Sequence, residues 1–242
     1  MRLTRCYVAA PLQAGDTRLL PGDASAHVAR VLRARAGQML TLFDGRGGEY
    51  DARIVAIDRR GVQVRIELHR AIERESPLPV TLLQALARGE RMDFIVQKAT
   101  ELGVAGIVAM AGERSVVRLD GAGLARRCEH WRAVAISACE QCGRNRVPTI
   151  VAVADLESAC AQADATSLRL LLAPEADLTL TAAARQASSI SLAVGPEGGF
   201  SDEEVAQAQH HGFRCCRLGP RVLRAETAPL AAIQAVAGDF LS

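Results

Sequence analysis

Residues 195–204 read G-P-E-G-G-F-S-D-E-E, and residues 218–228 read L-G-P-R-V-L-R-A-E-T-A. The first follows an apolar run, S-I-S-L-A-V, and leads into a predicted helix. The second repeats the plan: a short strand, a glycine-proline turn, then a helix of small residues. On open parallel sheets, ligands bind beyond the carboxyl ends of strands, in the loops leading to helices. Gly195, Gly198 and Gly199 lack a Cβ, so the backbone there can bend sharply and approach a ligand. Ser201 with Glu204 three residues on predicts a capping box, and Asp202, Glu203 and Glu204 suit the positive end of that helix. Thr227 is the expected N-cap of the last helix. Taken singly, each loop also reads as an ordinary strand–turn–helix junction. Two in succession point to one ligand between them.

The residue types narrow that ligand. A phosphate cradle carries a lysine, and neither a P-loop nor a G-x-G-x-x-G fingerprint occurs here. Glu197, Asp202, Glu203 and Glu204 surround the glycines instead. The loop therefore suits a neutral or cationic ligand read by backbone groups, which argues against a nucleotide hydrolase.

Working outward, the chain from residue 80 alternates strands and helices. V-T-L-L-Q-A-L is a predicted buried strand. R-M-D-F-I-V-Q-K-A-T-E-L-G is an amphipathic helix with Phe94, Ile95, Lys98, Ala99 and Leu102 near helical spacing. G-I-V-A-M is a strand and residues 121–142 a long helix. Further strands are expected at 149–153, 168–173, 190–194 and 213–218. This pattern predicts a parallel sheet covered by helices, an α/β fold. The first 72 residues differ. R-C-Y-V-A, Q-M-L-T-L-F, E-Y-D-A-R-I-V-A-I and V-Q-V-R-I-E-L read as short strands, joined by turns at 44–48 and 58–61 and interrupted by a helix at 27–33. They predict a small β-barrel. The polar, proline-bearing E-R-E-S-P-L-P at 73–79 separates the two parts, giving expected domains at 1–72 and 73–242.

Composition bounds the function. The chain has 242 residues, 49% of them hydrophobic, which is enough to bury a core. No apolar run reaches the ~20 residues of a membrane span, and the N-terminus lacks a signal-peptide core. A cytoplasmic protein with no membrane partner is expected. The seven cysteines are odd in number, and the one C-x-x-C, Cys139 and Cys142, has no second pair at zinc spacing. They read as small buried hydrophobes, with no metal. Net charge is +2, but residues 1–72 hold 12 arginines against 7 acids while the remainder is net −3. A basic N-terminal part on a mildly acidic body suggests a nucleic-acid partner. Aromatic residues at 3% leave little for base stacking.

Together the two glycine loops resemble the SPOUT superfamily of S-adenosylmethionine-dependent RNA methyltransferases, and within it the RsmE family. The resemblance extends over the whole chain. T-R-C-Y-V, H-V-A-R-V-L-R and F-D-G-R-G-G-E-Y-D-A-R-I are similar to that family's PUA-like RNA-binding domain. R-M-D-F-I-V-Q-K-A-T-E-L-G-V, E-R-S at 113–115 and W-R-A-V-A-I-S-A-C-E-Q-C-G-R at 131–144 are similar to its middle motifs. Cys6 stands where an aromatic residue is expected, with no bearing on catalysis. The resemblance implies a SPOUT domain with a deep trefoil knot behind a PUA-like barrel, methylation of uridine N3 in 16S ribosomal RNA, and a homodimer with the site near the subunit interface. A SPOUT enzyme with another base or a ribose 2′-hydroxyl as target is the main alternative, and a non-catalytic RNA-binding protein a weaker one. The substrate implied by the resemblance is free 16S rRNA or the assembled 30S subunit.

By motif position, the resemblance places S-adenosylmethionine against Leu171, Leu172, Ala173 and Pro174, against Gly195, Pro196, Glu197, Gly198 and Gly199, and against Leu218, Gly219, Leu223, Arg224 and Thr227. Methyl transfer to uracil N3 requires loss of the N3 proton or stabilisation of the anion. Arg221 and Arg224 are the candidates to stabilise negative charge. Glu197 is a candidate base, or a loop hydrogen-bonding residue. Arg5, His27, Arg30 and Arg33 are expected to contact RNA phosphate. Arg114 and Ser115, with Glu140, Gln141 and Arg144, are expected in a polar cluster near the site or dimer contact, the two arginines as RNA ligands. Trp131 is expected to serve packing.

Overall fold

The computed structural model describes residues 4–31, 33–115 and 121–237. These form two compact units: one of the residues up to Glu75 together with Cys139–Val147, the other of Ser76–Ala138 and the chain from Pro148. No sequence signal marked the 139–147 segment as part of the first unit.

The first unit is built on β1 (Arg5–Tyr7), β2 (Thr17–Leu19), β3 (Met39–Phe43), β4 (Glu49–Asp58) and β5 (Gly61–Arg70). They form one mixed sheet in the order β1-β3-β4-β5-β2, with only β1 and β3 parallel. The polarity alternation holds in β5, where Val62, Val64 and Ile66 are fully buried between exposed neighbours. Cys6 from one end of the sheet and Leu20 beside the other belong to the same apolar cluster, so both ends close on one core. The turn between β3 and β4 takes left-handed backbone at Gly45, Gly47 and Gly48, which explains its glycines.

The helix expected at 27–33 is displaced toward the N-terminus. Helix α1 covers Gly22–Ala26, and a single π-helical turn follows at His27–Val31. Leu32 lies outside the described residues. Arg33 sits at φ +46°, which ends the helical run. β2 was missed because three residues with one half-buried side chain carry almost no period.

Two expected RNA ligands turn inward in this unit. The Arg5 side chain is only 7% exposed; its Nη1 lies 2.5 Å from Glu49 and its Nη2 donates to Asn145 Oδ1 at 2.6 Å and to the Arg144 carbonyl at 3.1 Å. Its guanidinium also lies 5.0 Å from the centre of the Phe43 ring. Arg144 is 4% exposed and paired with Glu75. Arg74 donates to Glu49 at 3.1 Å and to the Gly143 carbonyl at 2.9 Å. Glu140 accepts the Tyr7 backbone N–H at 2.9 Å. Buried charges persist where they are paired and hydrogen-bonded. Arg5, Glu140 and Arg144 therefore fasten the 139–147 segment to the first unit; Arg5 and Arg144 do not offer free cations to RNA.

The second unit carries a six-stranded, all-parallel sheet: β6 (Val80–Ala85), β7 (Gly106–Met110), β8 (Thr149–Val153), β9 (Leu168–Leu172), β10 (Ile190–Val194) and β11 (Arg214–Cys216). The order is β11-β9-β10-β6-β7-β8. Its central strands read as apolar runs because helices cover both faces: every residue of β7 and of β10 is buried. The helices are α2 (Arg91–Glu101), α3 (Gly121–Cys142), α4 (Leu156–Ala161), α5 (Leu180–Ala184), α6 (Asp202–His210) and α7 (Ala228–Ala237), with the last turn of α3 belonging to the first unit. In α2 the buried face is Met92, Ile95, Val96, Ala99 and Thr100. Phe94, assigned to that face from spacing, is 45% exposed instead, since it lies on the opposite side of the turn from Val96. Lys98, the single lysine of the chain, bonds Glu101 at 2.8 Å. Trp131 is buried and its indole donates to Asp93 at 3.1 Å, joining α3 to α2.

All seven cysteines are free thiols. Burial, the largest influence, pushes the Cys139 and Cys216 thiols up to about 12, so neither supplies a thiolate near neutral pH. Among the described residues no cluster of histidine, cysteine or carboxylate side chains could hold a metal ion, and no helix is long and apolar enough to cross a membrane.

Candidate active site

The parallel sheet sets the site. The loops that leave β9, β10 and β11 all run from the carboxyl ends of adjacent strands, and they close on one cavity of about 830 Å³. That is within the range of a site for a nucleoside-sized molecule. Leu171 to Glu175 form one wall, Val194 to Phe200 a second, and Cys216 to Gly219 with Arg221 to Glu226 a third. Of the residues expected around a cofactor, all line this cavity except Thr227. Thr227 instead starts α7, its carbonyl accepting the first helical bond from Ala231 at 3.0 Å. Arg221, Arg224 and Glu197 also line the cavity.

The loop after β10 is held from both sides. At its end, Ser201 caps α6: its Oγ accepts the Glu204 N–H at 3.2 Å while Glu204 accepts the Ser201 N–H at 2.8 Å. The other oxygen of Glu204 accepts the Glu113 N–H at 2.9 Å, which ties the loop after β7 to this cap. From that loop Arg114 donates to the carbonyls of Gly198 at 3.1 Å and Phe200 at 3.4 Å. A Cβ on Gly198 would lie 3.2 Å from the Cβ of Arg114, and one on Gly195 would lie 3.1 Å from the Phe200 nitrogen. These glycines are packing requirements. Arg114, expected to contact RNA, thus spends its guanidinium on the backbone of the glycine loop.

The loop after β11 is anchored by backbone pairing. Arg217 donates to the Leu178 carbonyl and accepts from Leu180, both at 2.9 Å, so this segment runs against the chain that follows β9. Beyond it, the Arg224 carbonyl accepts both the Thr227 and Ala228 N–H groups at 2.9 Å. Arg221 and Arg224 have exposed side chains and no carboxylate partner among the described residues.

Arg91 and Glu226, both on the cavity wall, were given no role from the sequence. Arg91, in the first turn of α2, bonds Glu197 at 2.7 Å and lies 3.9 Å from Glu226. Burial opposes ionisation of Glu197, but bonds from its own and the Arg88 backbone N–H and from the Arg91 guanidinium outweigh it and hold the carboxyl below its ordinary value. A carboxylate so committed is a poor base. Glu226 makes no hydrogen bond among the described residues, and its Oε2 is buried.

The cavity fits S-adenosylmethionine on the structure's own terms. Apolar side chains and glycines line it, Gly199 and Gly219 leave open space for close approach, and three carboxylates line it beside five arginines, with no lysine.

Comparison with known proteins agrees with these features. The RNA methyltransferase domain family matches residues 74–237, and the RNA methyltransferase PUA domain family matches residues 20–67. A methyltransferase from Legionella pneumophila, solved with bound cofactor SAM, superposes with a TM-score of 0.93 at 39% identity, over 98% of each chain. The ribosomal RNA small subunit methyltransferase E of Neisseria gonorrhoeae, bound to S-adenosyl methionine, gives a TM-score of 0.89 at 37% identity, over 97% of this chain and 96% of that one. The protein of the same name from Mycobacterium bovis is 34% identical, over 95% of this chain and 89% of its own.

Proposed function

This chain belongs to the ribosomal RNA small subunit methyltransferase E family of RNA methyltransferases, and from that premise we propose that it transfers a methyl group from S-adenosylmethionine to N3 of a specific uridine in 16S ribosomal RNA. The observation that carries this reading is the convergence of the three loops after β9, β10 and β11 on one cavity. The residues that would hold the cofactor are Leu171 to Ala173, Gly195 to Gly199, and Leu218, Gly219, Leu223 and Arg224. When bound, the cofactor supplies an electrophilic methyl carbon. The protein's share is position and charge. Arg114, Glu204 and Arg91 clamp the glycine loop in place along the cavity wall. Uracil N3 must then be held about 3 Å from the methyl carbon. Arg221 and Arg224, with no carboxylate partner among the described residues, stabilise the negative charge that develops on the uracil.

The trefoil knot belongs to this proposal. The pairing of Arg217 with the chain after β9 supports it, because the segment that walls the cavity runs against an earlier loop. Residues 1–72 serve as the RNA-binding part and 73–242 as the catalytic part. His27, Arg30 and Arg33 are exposed on the first unit, and they are the groups that meet RNA phosphate. The assembled 30S subunit or its free 16S rRNA is the substrate, in the cytoplasm. A homodimer completes the reading: Phe94, 45% exposed, and Val222, 79% exposed beside the cavity, offer apolar surface to a second copy. Sedimentation of the purified chain at a monomer's mass would sink that part.

The test is transfer itself. The protein is incubated with methyl-labelled S-adenosylmethionine and small subunits lacking the modification, and the labelled nucleoside is identified by mass spectrometry. Label in 3-methyluridine is expected. Label in another nucleoside would reassign the target, and no label alongside measured cofactor binding would reassign the substrate.

A further inference from the structure

Removal of the N3 proton requires an acceptor. Three carboxylates line the cavity: Glu175, Glu197 and Glu226. Glu197 is committed to Arg91 at 2.7 Å and to backbone N–H groups. Glu175 is exposed at the rim. Glu226 differs from both. It is half-buried, neither of its oxygens accepts a hydrogen bond among the described residues, and its Oε2 is shut off from water. Its nearest cation is Arg91, at 3.9 Å, whose closer bond goes to Glu197. A buried carboxylate oxygen without a donor is costly, and native structures keep such groups where something else completes them. Glu226 lines the cavity and its side chain keeps 18% of its surface open, so a donor on a bound ligand can meet the carboxylate from the open side.

Resting on the proposed function, we infer that Glu226 is the general base of the reaction, accepting the N3 proton of the target uridine. The uracil has a single N–H donor, and it is the one that must be lost. Glu226 lies two residues from Arg224 on the same wall of the cavity, so one short segment supplies both the acceptor for the proton and the cation for the developing anion. The step balances: the N3–H bond breaks and its proton goes to the Glu226 carboxylate. The N3 electron pair forms the bond to the methyl carbon, and the carbon–sulfur pair returns to sulfur, leaving a neutral thioether.

Glu226→Gln keeps the shape and removes the proton acceptor. Two readouts separate a base from a structural or cofactor-binding residue. Binding of S-adenosylmethionine, measured by calorimetry, should stay within about threefold of wild type. Single-turnover methylation of unmodified small subunits should fall by ~10²-fold or more. Substrate carrying 5-fluorouridine at the target, whose electron-withdrawing fluorine makes N3–H more acidic, should recover most of that loss. Glu226→Asp, which keeps a carboxylate, should retain more activity than the glutamine variant. Loss of cofactor binding in Glu226→Gln, an unchanged rate, or an equal deficit on the fluorinated substrate would each overturn the assignment. Wild-type protein that places no methyl on uridine N3 would overturn the proposed function and this inference with it. A wild type that does so, matched by Glu226→Gln, would overturn the inference alone.

Discussion

Arg91 and Glu197, 106 positions apart in the chain, meet at 2.7 Å and join the start of α2 to the glycine loop after β10. Both side chains are more than a third exposed, 42% and 34%, so the pair contributes little to folding. Its effect is on the cavity. Arg91→Ala should leave the melting temperature within a few degrees of wild type, while the Kd for S-adenosylmethionine rises on the order of tenfold, about 1.4 kcal/mol. Calorimetry and a thermal melt on the same variant check both halves, and an unchanged Kd refutes the clamp.

Arg224→Ala should bind the cofactor within a few-fold of wild type and lose about 10²-fold in single-turnover rate, the magnitude of one lost charge-stabilising group. Intact turnover would remove Arg224 from the chemistry.

Two glycines four residues apart should behave differently. Gly195→Ala drives a methyl group to 3.1 Å from the Phe200 nitrogen and 3.2 Å from the Gly199 carbonyl carbon, backbone atoms that cannot swing aside. It should cost about 1–3 kcal/mol and abolish cofactor binding. Gly199→Ala meets nothing within 4 Å, and only its φ of +69° opposes it. That substitution should cost about 1–2 kcal/mol of backbone strain, with cofactor binding weakened but measurable.

Burial raises the cost of ionising Glu49, yet its bonds with Arg74 and Arg5 outweigh this and keep its pKa below the ordinary value. A carboxyl depressed in the folded state stabilises fully above the unfolded pKa of about 4.3 and loses that contribution as pH falls through the folded value. Glu49→Gln should therefore melt lower than wild type at pH 7, with the gap closing below about pH 4. A gap independent of pH would show that charge is not its source.

Replacing both Arg30 and Arg33 with alanine should weaken RNA binding across sequences and reduce the slope of log K against log salt by about 1–2. Cofactor affinity should not move. An unchanged slope would shift the RNA surface elsewhere on the first unit.

Much of the fold was legible because its signals are local. The capping box of Ser201 and Glu204 lies within four residues, and the strands of the parallel sheet are apolar runs that burial demands. The three loops could be placed at one site because parallel-sheet topology brings the carboxyl ends of neighbouring strands together. Arg91 and Glu226 were not legible. Arg91 is one more polar residue in the first turn of an amphipathic helix, and nothing local says that it faces Glu197. Glu226 stands out only through hydrogen bonds it does not make. Arg5 and Arg144 were misassigned for a related reason: an arginine in a basic stretch looks like a surface cation, and only their pairing with Glu49 and Glu75 shows otherwise. Phe94 fell on a plausible apolar stripe, but the actual buried face of α2 runs through Met92 and Val96.

The ion pairs that fasten residues 139–147 to the first unit bear on how this protein could be cut or borrowed. The polypeptide crosses between its two units three times, so the first unit is not a bead on a string. A fragment ending at Glu75 would lose the Arg144 partner of that glutamate and the Asn145 acceptor of Arg5, leaving both charges short of partners. Grafting the front portion onto another protein should fail unless the later segment travels with it. A single proteolytic nick near residue 75 should release nothing, because the two pieces remain held by side chains donated from the far side of α3.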